Sequence, residues 1–208
     1  KMSPEEHLAH IKQTIDYALS KDFTVNLYLE DWSSGMRDSR DYLFTMMDEL
    51  VKLPIKRFLL PDTLGILNPL QCVEYMRQMV RRYPNSHFDF HAHNDYDLAV
   101  SNSLAAVLSG AKGLHVTVNG LGERCGNAPL ASVQVILKDM FEAKTNIKED
   151  RLNDISRLVE GYSGIAVAPN TPVVGDNVFT QVAGVHADGD NKDKLYCNDL
   201  VPERFGRH

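Results

Sequence analysis

The 208-residue sequence is poor in cysteine and has no long apolar run uninterrupted by Gly, Pro, Asn or Ser. Its three cysteines, Cys72, Cys125 and Cys197, are scattered and odd in number, which argues against a disulfide framework. We therefore expect free thiols and a cytoplasmic protein. Because a membrane-spanning helix needs about 20 consecutive apolar residues, we also expect no membrane partner.

Positive charge is scarce as well, since 22 Lys and Arg stand against 28 Asp and Glu and leave a net charge of −6. A protein that binds nucleic-acid phosphates needs a basic face, so this balance disfavours a nucleic-acid partner. The sequence opens within a helix-start pattern, Ser3-Pro4-Glu5-Glu6, and carries no signal peptide. We therefore expect it to be part of a longer polypeptide.

What the sequence does contain is a regular alternation of helical and extended patterns. Four segments have the alternating or short apolar pattern of strands: residues 23–29, 57–60, 88–93 and 114–118. Each is followed by a helical pattern, and Asn68-Pro69 and Asp97 are candidate caps for two of these helices. Strict alternation of this kind indicates an α/β protein with a parallel sheet.

Polar residues follow the carboxyl ends of the predicted strands. They are Glu30, Asp62, Thr63, His91, His93 and Asn119. Side chains that converge from successive strand ends are typical of the active site of a (β/α)8 barrel, and four strands are half of one. The sequence therefore predicts the C-terminal half of a (β/α)8 TIM barrel in residues 1–147. Residues 148–208 break this pattern and are predicted to form a small, mainly helical linker subdomain.

His91 and His93 give the strongest local signal. At positions i and i+2 of a strand, both imidazoles point to one face and can reach one metal ion. Two strand-end histidines with ordinary hydrogen bonds are the competing interpretation, and the neighbouring carboxylates Glu30 and Asp62 favour the metal. A site of imidazole, amide or carboxylate, and water suits a divalent cation such as Mg, Mn or Zn.

Other residues leave alternatives open. Glu30 lies two residues after Tyr28 on the same face, where a buried carboxylate is either a general base or half of an ion pair. The turn 120–127 is rich in glycine but matches neither a dinucleotide fingerprint nor a phosphate-binding loop. Within it, Glu123 and Arg124 are explained by a simple ion pair, and Cys125 has no identified base that would make it a nucleophile.

Four motifs in this order resemble one known family. They are the His-Ala-His-Asn-Asp run at 91–95, Asn-Gly-Leu-Gly-Glu-Arg-Cys-Gly-Asn at 119–127, Pro-Val-Val-Gly-Asp-Asn-Val-Phe at 172–179 and Gly-Val-His-Ala-Asp-Gly at 184–189. The sequence resembles the catalytic region of the 2-isopropylmalate, citramalate and homocitrate synthases over nearly its whole length. These enzymes are metal-dependent, acetyl-CoA-condensing (β/α)8 barrels.

The resemblance implies roles for specific residues. His91 and His93 would be metal ligands, with Asn127 in the metal's coordination or beside it. Thr63 would hold the carboxylate of a 2-oxo acid. The remaining family ligand is an Asp in an Arg-Asp-Gly motif, which is absent from this sequence.

The acid–base chemistry that the resemblance implies involves both parts of the chain. Glu30 and His186 would be the pair that enolises acetyl-CoA, with Tyr196 assisting. From the residues alone, His186 lies in a loop rich in Gly and Asp. In the family, the corresponding subdomain reaches into the partner subunit's barrel, so the resemblance implies a homodimer.

Substrate choice depends on Tyr28, which stands two positions before Glu30 where isopropylmalate synthases have a small residue. A bulky ring would fill the space that an isopropyl group needs, so the sequence favours pyruvate as substrate and (R)-citramalate as product. One alternative is a 2-isopropylmalate synthase that uses 2-oxoisovalerate in leucine biosynthesis. The alternative of another class is a non-catalytic fragment that lacks the first half of the barrel.

Overall fold

Four parallel strands form one sheet, in which each strand pairs with its neighbour in the sequence. They are β1 (Val25–Tyr28), β2 (Ile55–Asp62), β3 (Phe88–Ala92) and β4 (Gly113–His115). The computed structural model describes residues 2–193, 195–196 and 198–207. A doubly wound sheet reverses its strand order partway, whereas a barrel does not. The order β1-β2-β3-β4 therefore confirms the predicted partial (β/α)8 barrel.

Eight α-helices are present in the described part of the chain. They are α1 (Pro4–Leu19), α2 (Trp32–Asp38), α3 (Arg40–Leu50), α4 (Pro69–Arg82), α5 (Ala99–Leu108), α6 (Leu130–Phe141), α7 (Leu152–Ser163) and α8 (Gly184–Asp193). The start of α1 is a capping box, in which the Ser3 hydroxyl accepts from the Glu6 N–H and the Glu6 carboxylate accepts from the Ser3 N–H. Both orphan amides are thereby satisfied, as the sequence predicted.

Two elements differ from the sequence prediction. One helical pattern was predicted after the first strand, but two helices follow it, and the first of them, α2, buries Trp32 and Met36. The Trp32 ring meets Phe90 of β3 edge-on, with centroids 6.3 Å apart. The fourth strand is also shorter than predicted, because the chain turns into a 3₁₀ helix at Val118–Gly120, where Asn119 has φ of 57°.

The chain forms two compact units. The first contains the residues up to Val116 together with Gly122–Ala128, and the second contains Thr117–Leu121 and the residues from Pro129 onward. The division differs from the boundary predicted after residue 147, because α6 belongs to the second unit. Buried residues of α6 share a core with later residues: Ala131, Val135, Leu152, Val173, Val174 and Phe205.

A network of ion pairs and hydrogen bonds surrounds Glu149 in the second unit. Its carboxylate accepts from Arg204 at 2.8 and 2.9 Å and from Lys138 at 2.6 Å, and Arg204 also pairs with Asp139. These contacts, with Arg204 as the largest cause, lower the pKa of Glu149 to about 2. Glu149 is therefore ionised over the whole physiological range.

Two of the three cysteines are free thiols in the described part of the chain, as the sequence predicted. Cys72 is a buried free thiol and Cys125 an exposed one, whereas Cys197 lies outside the described residues. None of the described helices is long and apolar enough to cross a membrane.

Candidate active site

The two histidines of the strand-end motif lie next to each other at the carboxyl end of β3. Their ring centroids are 5.0 Å apart and the rings are perpendicular. Both Nδ1 atoms are buried and have no hydrogen-bond partner among the described residues. Burial, followed by the proximity of His93, lowers the pKa of His91. The strand end thus presents a neutral imidazole, which is the form that binds a metal.

Asn127 lies beside this pair, on the Gly-rich turn. It forms an isolated antiparallel bridge with His93. Gly122 in the same turn allows the approach, since a Cβ there would come within 2.8 Å of the Asn127 side-chain carbon Cγ. The turn therefore pairs the backbone of Asn127 with that of His93, and the role of the Asn127 side chain stays a prediction.

A divalent cation fits these residues as a partial set of ligands. The structure supplies two imidazole nitrogens and an adjacent amide oxygen. Within the described ranges, no three His, Cys, Asp or Glu side chains come together closely enough to hold a metal ion.

Glu30 and Thr63 meet at the ends of the neighbouring strands β1 and β2. The Thr63 hydroxyl donates to Glu30 Oε1 at 3.0 Å and accepts from the Asp31 N–H at 3.0 Å. Glu30 was predicted to be buried, but it is exposed and lines a cleft of about 540 Å³ that runs along β1. The carboxylate is therefore held by a neighbouring hydroxyl yet open to a substrate.

Tyr28 extends from β1 toward the histidines. Its ring centroid lies 6.2 Å from that of His91 and 6.1 Å from that of His115. Burial, with a smaller contribution from the charge of Glu30, raises the pKa of Tyr28 to about 12. The side chain is thus a neutral aromatic wall next to the candidate metal site.

His115 was missed by sequence reasoning. It is the last residue of β4 and lies directly opposite His91 in the parallel register. Its Nε2 is 3.4 Å from the carboxylate of Asp89, which is almost completely buried and also contacts His87 and Arg57. The strand register would have revealed this histidine, but a single sequence does not give the register.

Asp62 has a different role from the one suggested by its position. Its two carboxylate oxygens accept hydrogen bonds from the backbone N–H groups of Ile66 and Leu67, at 3.0 and 3.1 Å. Burial raises its pKa while these hydrogen bonds oppose the rise. Asp62 therefore orders the loop between β2 and α4. Because both of its oxygens are used in this way, Asp62 does not support a metal site, contrary to the sequence prediction.

Arg124 was expected to form a simple ion pair with Glu123, but its main partner is elsewhere. Glu123 is 3.7 Å away, whereas Asp95 accepts two hydrogen bonds from the guanidinium, at 2.7 and 3.0 Å. A third N–H bond runs to the carbonyl oxygen of Thr63 at 2.7 Å. The planar guanidinium of Arg124 thus forms a two-bond pair with the carboxylate of Asp95, 29 residues away in sequence, and only a longer contact with that of the adjacent Glu123.

His186 and Tyr196 are brought together in the second unit. Their rings stack with centroids 4.4 Å apart and an angle of 27° between planes. His186 lies on helix α8 and not in a loop as predicted, because α8 has almost no apolar periodicity that could reveal it. Gly189 of the same helix faces the tyrosine, since a Cβ there would lie 2.6 Å from the ring.

Comparison with known proteins identifies the family. Residues 1–159 match the HMGL-like family, which is more than half of the chain. The chain belongs to the HMGL-like family. A putative (R)-citramalate synthase of Methanopyrus kandleri is 37% identical over 99% of this HMGL-like chain and 40% of the relative. A homocitrate synthase of Saccharolobus islandicus is 42% identical over 100% of the chain and 44% of the relative. The chain thus spans less than half the length of these relatives, and the predicted resemblance is confirmed.

Solved structures support the fold of this HMGL-like chain. An HMG-CoA lyase of Bacillus subtilis superposes with a TM-score of 0.69 and 24% identity, covering 78% of this chain and 57% of the lyase. At this identity the similarity establishes the barrel architecture alone.

The eight predicted site residues of the HMGL-like chain fall into two groups. The first unit contains six of them: Tyr28, Glu30, Thr63, His91, His93 and Asn127. The second unit contains His186 and Tyr196. The contacts within each group are established by the geometry, and the roles of these residues stay predictions.

Proposed function

We propose that the protein containing this HMGL-like chain condenses acetyl-CoA with a 2-oxo acid and that pyruvate is the preferred acceptor, giving (R)-citramalate. One observation carries the proposal. Within one unit, the Glu30 carboxylate, held by the Thr63 hydroxyl, and the adjacent imidazoles of His91 and His93 lie at the carboxyl ends of neighbouring parallel strands. This edge is where (β/α)8 enzymes bind their substrates.

The residues at the end of β3 would bind the metal ion. His91 and His93, with Asn127 beside them, would hold a divalent cation such as Mg, Mn or Zn. When bound, such a cation polarises the ketone of a 2-oxo acid and makes its carbon an electrophile. The two imidazoles would fix the position of that cation at the strand end.

The residues of β1 and β2 act on the two substrates. Glu30 removes a proton from the methyl group of acetyl-CoA, and the resulting enolate carbon forms a bond to the ketone carbon. Thr63 donates a hydrogen bond from its hydroxyl to the carboxylate of the 2-oxo acid. Water then cleaves the thioester, so that acetyl-CoA, pyruvate and water yield citramalate and free CoA.

The second unit would supply the remaining proton transfers. His186, with Tyr196 stacked on it, would act with Glu30 as the acid–base pair that enolises acetyl-CoA. We propose that the pair acts in the barrel of a second copy, which makes the working enzyme a homodimer.

Tyr28 supports pyruvate as the acceptor. Its ring lies 6.2 Å from His91 and leaves less room beside the ketone than a small residue would. The runner-up within the family, 2-isopropylmalate synthase, requires space for an isopropyl group at that point. The 42% identity to homocitrate synthases favours a further candidate, with 2-oxoglutarate as acceptor.

The test is the release of free CoA thiol by the intact protein that contains this chain. Pyruvate, 2-oxoisovalerate and 2-oxoglutarate are compared as acceptors, each with Mg²⁺, Mn²⁺ and Zn²⁺. We expect the highest kcat/KM with pyruvate. Preference for either other acid would overturn the citramalate assignment, and no release with any acceptor would favour the non-catalytic alternative.

Matched variants identify the base. Glu30→Gln should abolish thiol release, because the amide cannot accept the methyl proton. Glu74→Gln is the control, since Glu74 lies on α4 and accepts a hydrogen bond from Gln78 of the same helix. Equal activities of the two variants would exclude Glu30 as the base.

A further inference from the structure

The Gly-rich turn is attached to two strand ends by one side chain. Arg124 uses three N–H groups, two to the carboxylate of Asp95 and one to the carbonyl oxygen of Thr63. Asp95 follows β3 and Thr63 follows β2, so the guanidinium links three loops. A bidentate arginine–carboxylate pair fixes both distance and orientation, which a single hydrogen bond does not.

The backbone of the turn depends on the same attachment. Arg124 has a φ of 53°, which a non-glycine residue seldom adopts in a free loop, whereas the φ of 82° at Gly126 is open to glycine. The Gly126 carbonyl accepts from the Asn94 N–H at 2.9 Å, and the Ala128 N–H donates to β3 at 3.2 Å. Asn127 lies between these two backbone hydrogen bonds and bridges to His93.

Asp95 is itself confined. Gly65 packs against it so closely that a Cβ at Gly65 would lie 2.9 Å from Asp95 Oδ2 and 3.0 Å from its backbone nitrogen. The carboxylate therefore has little freedom to follow the arginine. Asp95 is thus a fixed acceptor for the Arg124 guanidinium.

We propose that Arg124 is a positioning residue, which clamps the Gly-rich turn to the ends of β2 and β3 and thereby holds Asn127 beside the two histidines. The clamp sets the affinity of this strand end for a divalent cation. The inference rests on the proposed function, because it concerns the same ligands. It extends that function to a residue that touches neither the cation nor the substrates.

The test combines two measurements on the intact protein without substrate. The first is the affinity for Mn²⁺ alone, measured by calorimetry. The second is the hydrogen-exchange rate of the Asn94 and Ala128 amides in metal-free protein. Arg124→Ala should weaken Mn²⁺ binding about 10- to 100-fold, the usual effect of losing a residue that orients a ligand. It should also speed exchange of both amides, since the turn opens locally.

The chain offers a matched control in Arg82, which forms a bidentate pair with Asp48 between α3 and α4. Arg82→Ala removes the same charge and the same type of pair and should change neither measurement. Arg124→Lys keeps the charge but loses the planar fork, so its Mn²⁺ affinity should fall between those of Arg124→Ala and the unmodified protein. Asp95→Asn, which changes no volume, is measured in place of Arg124→Ala if that variant does not fold.

Each outcome decides one question. Unchanged Mn²⁺ affinity in Arg124→Ala, or unchanged exchange of the two amides, would overturn the positioning role. Equal losses in Arg124→Ala and Arg82→Ala would also overturn it, because the effect would then be one of general stability. Failure of the unmodified protein to bind Mn²⁺ would overturn the metal chemistry of the proposed function, while the exchange rates would still decide whether Arg124 holds the turn.

Discussion

The Thr63 hydroxyl donates a hydrogen bond to Glu30 at 3.0 Å while it accepts one from the backbone N–H of Asp31, the residue after Glu30. A hydroxyl has one proton to donate. Thr63 can therefore hold Glu30 or the carboxylate of an acceptor, but not both at once. Binding of the acceptor at Thr63 would leave Glu30 free to take a proton.

This relationship predicts that two substitutions of Thr63 have different effects on activity. Thr63→Ser keeps the hydroxyl and should retain most of the activity. Thr63→Val has the same shape without the proton, and kcat/KM for the 2-oxo acid should fall about 10- to 100-fold, as expected for a lost hydrogen bond to a charged group. Steady-state kinetics of thiol release with varied acceptor checks this. Equal losses in the two variants would point to a steric effect instead.

Tyr28 should control the size of the acceptor. Tyr28→Ala opens space beside His91 and should shift the ratio of kcat/KM values toward 2-oxoisovalerate by about 10- to 200-fold, the range that apolar size selection provides. Tyr28→Phe keeps the ring and should keep the preference. Since the pKa of Tyr28 is about 12, loss of its hydroxyl should leave the pH profile below pH 9 unchanged. If Tyr28→Ala leaves the ratio of kcat/KM values for the two acceptors unchanged, Tyr28 does not line the acceptor pocket.

Gly113 is predicted to be intolerant of any side chain. A Cβ at this position would lie 2.8 Å from Asp89 Cγ, in a place where the carboxylate cannot retreat because it is buried. Gly113→Ala should lower the free energy of unfolding by about 1–3 kcal/mol, as overpacking does. Gly161→Ala on α7 is the control, because beyond the chain neighbours and the backbone of its own helix no atom lies within 4 Å of the added Cβ. Denaturant unfolding of both variants compares them, and similar midpoints would contradict the prediction.

The Glu149 network predicts a dependence of stability on pH. The pKa of Glu149 in the folded protein, about 2, is below its ordinary value of 4.5. Its contribution is therefore complete above about pH 5 and is lost as the pH falls through 4.5 toward 2. Glu149→Gln should cost about 2 kcal/mol at pH 7, a value moderated by solvent near Arg204, and should remove this part of the acid sensitivity.

The matched control for that experiment is Glu203→Gln, because Glu203 is exposed. Thermal unfolding at pH 7 and at pH 3 compares the two variants with the unmodified protein. A Glu149→Gln protein that loses the same stability at both pH values would show that the ion pairs are not the cause.

Local chemistry explains which parts of the fold were predictable from the sequence. Ser3 and Asn68 both cap helices through a capping box, as their spacing to Glu6 and Gln71 indicates. Asp97 does not cap α5, although its type and place favoured it. The side chain of Asn94 instead accepts from the N–H at the start of α5. Two polar residues close together compete for such a role, and the backbone between them decides the outcome.

The candidate site shows a similar division. The i, i+2 spacing of His91 and His93 correctly placed both rings together, because it depends on strand geometry alone. The contact of Arg124 with Asp95 and that of His115 with Asp89 join residues 29 and 26 positions apart in sequence. They depend on loop paths and strand register, which no local pattern contains.

The path of the chain between the two units has a practical consequence. The backbone leaves the first unit after Val116, returns for Gly122–Ala128 and leaves again at Pro129. A truncation before 117 would remove from the first unit the loop that carries Asn127, and a truncation after 128 would remove from the second unit the segment Thr117–Leu121. No single truncation point separates two complete units, so neither unit can be expressed or exchanged as one continuous segment of the chain.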